Sequence, residues 1–454
     1  MHDYLGNEIT ASDAAALDGI NDFIGGFLGY EKRAVNVLQA ADDDPECALA
    51  NTYAGMIWMF LESPGAPAAA QKYLDRAEQH AAGANDREQM AVNVLRAWHD
   101  NDMDRAVSLC EHLVRRFPTD LAMLKLGQYF HFNRGNAPGM LRLAHEGEAA
   151  NRDNTNFHGM AAFAYEQCHL LEKAEAAANR SLELNEDEPW AHHALAHVML
   201  TQGRVREGIE FLNSVSASWE GLNSFMYTHN WWHKALFNIS LGNHQAVYDA
   251  YDHHCWGVDK EYSQDQIGAV SLLARMECAG LDVGNRWEDV ADHLKSRAKD
   301  TVQPFLTAQY LYGLARAERG EADELMNAVE EKANSADAFE RAVWTDVALP
   351  TCRGVLAHAR GDYQSVLRNL GAALPRMAET GGSHAQRDLF EQLLLDAHIK
   401  LGNFAIAQQM MEMRRTYDPD GVPLNGMLAE VYEHLGLTEE AAEARARQST
   451  PYQA

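Results

Sequence analysis

The sequence predicts an all-α chain, an α-solenoid of stacked helical hairpins curled into a superhelix. Three observations carry this. Apolar residues recur three and four apart in stretches such as 68–82 (AAAQKYLDRAEQHAA) and 438–448 (TEEAAEARARQ), which is the period of an amphipathic helix. Alternating runs of Val, Ile and Thr, the material of strands, are absent, and prolines number only 12 in 454 residues. Short turns carrying Gly or Asn recur at Asn101, Gly135, Gly203, Gly242, Gly320, Gly361, Gly402 and Gly436, several of them 34, 39 or 41 residues apart.

Taken in order, residues 1–100 read as divergent N-terminal helical hairpins, and residues 101–454 as helical repeats with a central His-rich pocket. Each turn glycine supplies the left-handed conformation that ends a helix. A small residue follows, at Ala174, Gly208, Ala246 and Ala405, to let the second helix close on the first. In this pattern the chain resembles the tetratricopeptide repeat superfamily, most clearly over 121–215 and 385–448. The resemblance implies a concave face lined by the first helix of each pair, and a base expectation of peptide binding.

Composition bounds the function. Lys+Arg number 38 against 66 Asp+Glu, a net charge of −28, and 46% of residues are hydrophobic, enough for a sizeable core. The negative excess repels phosphate backbones and anionic lipid, so neither a nucleic acid nor a membrane is an expected partner. No apolar run approaches the ~20 residues of a membrane span. The first residues lack the basic and apolar segments of a secretory signal, and six scattered cysteines form no disulfide framework. A cytoplasmic protein follows as the expectation. Walker, dinucleotide-binding and nucleophile-elbow motifs are missing. Cys352, beside Arg353, reads as a buried structural thiol.

The chemistry concentrates in the middle of the chain. The segment PWAHHALAHVMLTQGR (189–204) sets His193 and His197 four apart on one helix face, with Trp190 on the same side and Glu166 directed at the same groove from the preceding repeat. One repeat later, MYTHNWWHKALFNISLG (226–242) repeats the spacing with His229 and His233 among Asn230, Trp231 and Trp232. The next helix adds Asp252, His253 and His254. Such imidazole pairs could ligate zinc or another divalent metal, or could act in acid–base chemistry beside Asp252 or Glu166; packing histidines at helix contacts are the alternative. The residues between the paired histidines (Ala194, Leu195, Ala196; Asn230, Trp231, Trp232) omit the glutamate of a metalloprotease helix. The tryptophans read as repeat packing or as a cage for a cation.

Further on, ETGGSHAQRDLFEQLLLDAH (379–398) starts a helix: Gly381 and Gly382 free the backbone, Ser383 is an N-cap, and Gln386 completes a capping box. Arg387 and Asp388 are then an ordinary surface pair, or, facing the groove, Arg387 would hold a carboxylate or phosphate.

Combined, these stretches are similar to the family named for tetratricopeptide repeat protein 38. The matching residues are Trp190, His193, His197, Glu207, Gly208 and Phe211; His229, Asn230, Trp232 and His233; Tyr251, Asp252 and His254; Gly284, Arg286 and Trp287; Asp346, Leu349, Pro350 and Cys352; and 381–388 except His384 and Ala385. The resemblance implies the helical fold and no single reaction. The expectation is a concave-face pocket for a small polar metabolite, with His193, His197, His229, His233, Asp252 and Glu166 as candidate catalytic groups. Trp190, Asn230, Trp232, His254, Gln386, Arg387 and Asp388 would bind ligand, and the four paired histidines would hold any metal. Whether a reaction is catalysed stays open at this level. The other reading is a non-enzymatic adaptor for a peptide or protein partner; a dimer is compatible with either.

Overall fold

Several helices begin at a side-chain cap, as those that start after Asn85, Asp120, Asn154 and Ser383 do, and many hairpins turn at a left-handed residue. The computed structural model describes residues 1–11 and 14–448. Regular structure there is helical, with two isolated bridges besides, His2 to Glu8 and Glu31 to Leu222. No helix among the described residues is long and apolar enough to cross a membrane.

The chain divides into two compact units. The first comprises Met1–Ala194 with Trp219–Met226. It contains α1 (Ala14–Gly29), α2 (Val37–Asp43), α3 (Ala48–Met59) and α4 (Ala66–His80), then α5 (Asp86–His99) and α6 (Met103–Arg116). Two further hairpins follow, α7 (Leu121–Asn133) with α8 (Ala137–Glu148) and α9 (Thr155–Gln167) with α10 (Leu171–Leu184). Each helix packs on the next, as stacked hairpins require.

The second unit comprises Leu195–Ser218 and the chain from Tyr227 onward. The boundary falls within α11 (Pro189–Thr201), and α12 is Val205–Val215. Then come α13 (Ser224–Ser240), α14 (His244–Ala250), α15 (Ser263–Cys278), α16 (Arg286–Leu294), α17 (Pro304–Arg316) and α18 (Glu321–Ser335). The chain continues through α19 (Arg341–Val343), α20 (Leu349–Ala359), α21 (Tyr363–Ala373), α22 (His384–Lys400), α23 (Phe404–Arg414), α24 (Val422–His434) and α25 (Thr438–Gln448). This is the tetratricopeptide-like stack of helix pairs that the turn spacing predicts.

Eight of the turns inside hairpins follow one rule, while those at Glu62, Gly280 and Glu318 are left-handed without it. Asn101, Gly135, His169, Gly203, Gly242, Gly361, Gly402 and Gly436 all have positive φ. The residue five positions later is buried in every case: Ala106, Met140, Ala174, Gly208, Val247, Val366, Ala407 and Ala441. Three sequence expectations are corrected. At the fifth of the eight expected turns Glu318, not Gly320, is left-handed. Ala405 is exposed and Ala246 only half-buried, so Ala407 and Val247 make the close approach.

The second unit also folds back on itself. Helix α22 packs against α15, more than a hundred residues earlier. The segment after α23 lies on two hairpin turns: a Cβ at Gly203 would stand 3.0 Å from Pro419, and one at Gly242 3.0 Å from Val422. Asp418 accepts a hydrogen bond from Ser240 at the same place.

Candidate functional site

In the second unit the i, i+4 spacing does what it predicts within α13: His229 and His233 sit one turn apart, ring centroids 4.8 Å and nearly perpendicular. From α11, His197 meets His233 at 4.5 Å. The three imidazoles each offer a nitrogen within 4.8 Å of the others. His197 and His233 are fully buried, and Asn230 and Trp232 nearly so. The Trp232 indole lies parallel to His229 at 5.4 Å. Burial, with His197 adding to it, pushes the His229 imidazole down to about 3, so it is neutral at physiological pH.

A fourth histidine, which the sequence reading passed over, arrives from α22. His384 stands 5.3 Å from His197, edge to face, and its Nε2 is 3.0 Å from Thr201 Oγ1. The GGS segment puts it there. Gly381 and Gly382 both have positive φ, and a Cβ on Gly382 would come within 2.7 Å of the Phe305 ring. Ser383 and Gln386 form the expected capping box, so α22 begins at His384. Arg275 of α15 fixes this helix start: buried, it donates to Ser271 Oγ at 2.6 Å and to the Ala385 and Gln386 carbonyls at 2.7 and 3.2 Å, while lying 5.2 Å above Trp232. Burial draws its guanidinium down to about 10. Both residues leave a trace in the sequence, a histidine at the first helical position of a capped helix and one arginine inside an apolar stretch.

Other expected site residues are engaged elsewhere. Arg387 donates to the Gly381 and Gly382 carbonyls. Asp388 takes both nitrogens of Arg414, at 2.5 and 2.7 Å, and Gln392 at 2.7 Å. Burial would raise this carboxyl, but Arg414 overrides it and holds it down to about 2. Gln386 is spent on the cap. Asp252, expected to orient an imidazole, forms a two-point pair with Arg286 at 2.8 and 2.6 Å near the surface. His254 stacks on Trp231 at 3.6 Å and bonds the Tyr227 hydroxyl at 2.6 Å.

In the first unit, His193 stacks on Trp190 at 4.3 Å, within an aromatic group that includes Phe163 and Tyr30. Glu166 is buried and accepts from Gln167 Nε2 at 2.6 Å. His192 takes the Trp219 indole N–H at 3.2 Å. Lys125 lies 3.4 Å from the centre of the Tyr30 ring and donates to the Leu28 carbonyl at 3.1 Å; burial moves its ammonium well below the usual lysine range. Glu188, buried and bonded to the Ala191 amide at 2.6 Å, is pushed up to about 7. As for Cys352, burial lifts its thiol to about 12 and Arg353 pairs with Glu330 at 2.8 Å, which makes it a structural thiol.

A buried nitrogen-rich cluster on a helical-repeat frame is therefore the chemical feature of the second unit, and the protein is a tetratricopeptide-like helical-repeat protein. No family model matches the chain. Among solved structures it is similar to the human IFIT1 dimer with m7Gppp-AAAA, at 13% identity over 97% of this chain and 95% of that chain, TM-score 0.40. Yeast Tom70 is similar at 11% identity over 83% and 93%, TM-score 0.29. The structure of Naa15/Naa10 bound to HypK-THB gives 13% identity over 97% and 69%, TM-score 0.26. The likeness is one of helical fold, which the coordinates display directly.

Proposed function

We propose that this chain is a cytoplasmic helical-repeat protein that binds a small polar ligand at the imidazole cluster of its second unit. Acid–base or metal-assisted catalysis is the chemistry those groups suit. The observation that carries this reading is the convergence of His197, His229 and His233 from two helices, with His384 delivered beside them by a separately capped third helix. Buried imidazoles cost desolvation that leucine would not, and a ligand-binding role accounts for retaining several together. The residues by which the sequence resembles the tetratricopeptide repeat protein 38 family include these histidines and the GGS turn, which supports the same reading. Six free cysteines suit a reducing compartment. Thermal-shift screening against small polar metabolites tests it. A true ligand at a hundred times its Kd adds about 2.7 kcal/mol of stability, and His229→Ala abolishes that shift. Metabolites that stabilise the variant as well as the parent would contradict the assignment.

The adaptor reading has its own support in α23, where Ile406 and Met413, seven residues apart on one face, are 48% and 73% exposed. A partner bound there would be lost with Ile406→Asp and kept with His229→Ala.

A further inference from the structure

We infer that His197, His229 and His233 form a site for a divalent transition-metal ion of the zinc class. This rests on the reading that the cluster is a binding site, and names its occupant. The argument begins with number and distance. Three potential donor nitrogens, from α11 and from two positions of α13, lie within 4.8 Å of one another. A tetrahedral ion with bonds of about 2.1 Å sets its nitrogens about 3.4 Å apart, so small side-chain rotations complete the set. Donor chemistry comes next: imidazole suits zinc, copper, nickel and cobalt, whereas magnesium and calcium require oxygen.

The frame around the cluster also fits. The two α13 ligands sit one helical turn apart, a spacing that holds both rings on one side of the same rigid element. Trp232 lies parallel to His229 and walls one side, and Arg275, 5.2 Å from the Trp232 ring, ties α15 to α22. His384, held by Thr201, stands against His197 and limits the turn of that ring. Ligands embedded in packed helices lose little freedom on binding an ion, which favours a defined geometry. The sequence order is consistent with a helical site as well: His229 and His233 supply the i, i+4 pair, and His197 comes from the preceding repeat.

The test uses the full chain, prepared without a metal-binding tag, stripped with EDTA and titrated with zinc chloride, cobalt chloride and magnesium chloride. Elemental analysis after gel filtration is expected to find about one zinc or cobalt per chain and no magnesium. Cobalt should give the strong visible bands of a low-coordinate nitrogen site. His197→Gln and His229→Gln should each weaken zinc binding by about 100-fold or more, while Asp252→Asn, at the surface pair with Arg286, leaves it unchanged. Circular dichroism confirms that each variant is folded. Should His197→Gln misfold, His229→Gln, which alters a half-buried ring, carries the comparison. Absence of retained zinc and cobalt in the parent, or equal retention in a variant carrying both His197→Gln and His229→Gln, overturns the assignment. If metal fails while a metabolite still stabilises the parent and not His229→Ala, the binding site stands without its metal. If neither binds, the site reading falls too.

Discussion

Asp388 shows how far a residue's neighbours decide its role. Its side chain reads from sequence as a possible groove residue, yet Arg414, 26 positions later, claims both oxygens. With a folded value of about 2 against an ordinary aspartate near 3.9, the pair contributes about 2 to 3 kcal/mol that is fully present above pH ~4 and is lost as pH falls through the folded value. Asp388→Asn is therefore expected to lower the urea-unfolding free energy at pH 7 by about 3 kcal/mol, because Arg414 is left buried without its counter-charge. The gap between variant and parent should narrow as the pH approaches 2, and a gap independent of pH would refute the pairing argument. Local chemistry could not have revealed this partner, nor Arg286 for Asp252, 34 residues away on the next repeat. The histidines were legible for the opposite reason. His229 and His233 share one helix, so their spacing alone fixes which way they face relative to each other.

At the scale of elements, helix boundaries were readable because caps and left-handed turns are local. Ser383 and Gln386 form the capping box their spacing requires, and seven of the eight turn residues expected from sequence have positive φ. What sequence spacing could not supply was which residue after a turn lies inward, hence the shift from Ala405 to Ala407. Nor could it bring His384 to His197, since that depends on the course of the chain between α13 and α22. The GGS turn is the element that accomplishes this placement. Gly382→Ala adds a methyl group against Phe305 at a positive φ of 73°, and is expected to cost about 2 to 3 kcal/mol. The loss would appear as a lower unfolding midpoint, together with weaker ligand or metal binding as the start of α22 shifts. Alanine at Gly371, inside α21 where a Cβ would meet nothing within 4 Å, should leave binding unchanged and raise the midpoint slightly, since alanine is favoured over glycine in a helix by about 0.5 to 1 kcal/mol.

Over the whole chain, a charge of −28 spread along stacked hairpins makes the folded state repel itself. Raising sodium chloride from about 10 to 300 mM shortens the Debye length from about 30 to under 10 Å and is expected to raise Tm by a few degrees, despite weakening the many exposed ion pairs. A fall in Tm would show those pairs to outweigh the repulsion. Repeat architecture also decides which changes in length the molecule tolerates. Eight left-handed turns among the described residues are each followed, five residues on, by a buried residue, which fixes the angular phase of the second helix in those hairpins. One inserted residue inside that five-residue interval would rotate everything beyond it by about 100°, swinging a core methyl or methylene into water and a charged neighbour into its place. Insertions accumulating during divergence should consequently fall in the connections between hairpins, while these eight turns keep a constant count, like the pitch of a thread that must still engage its nut.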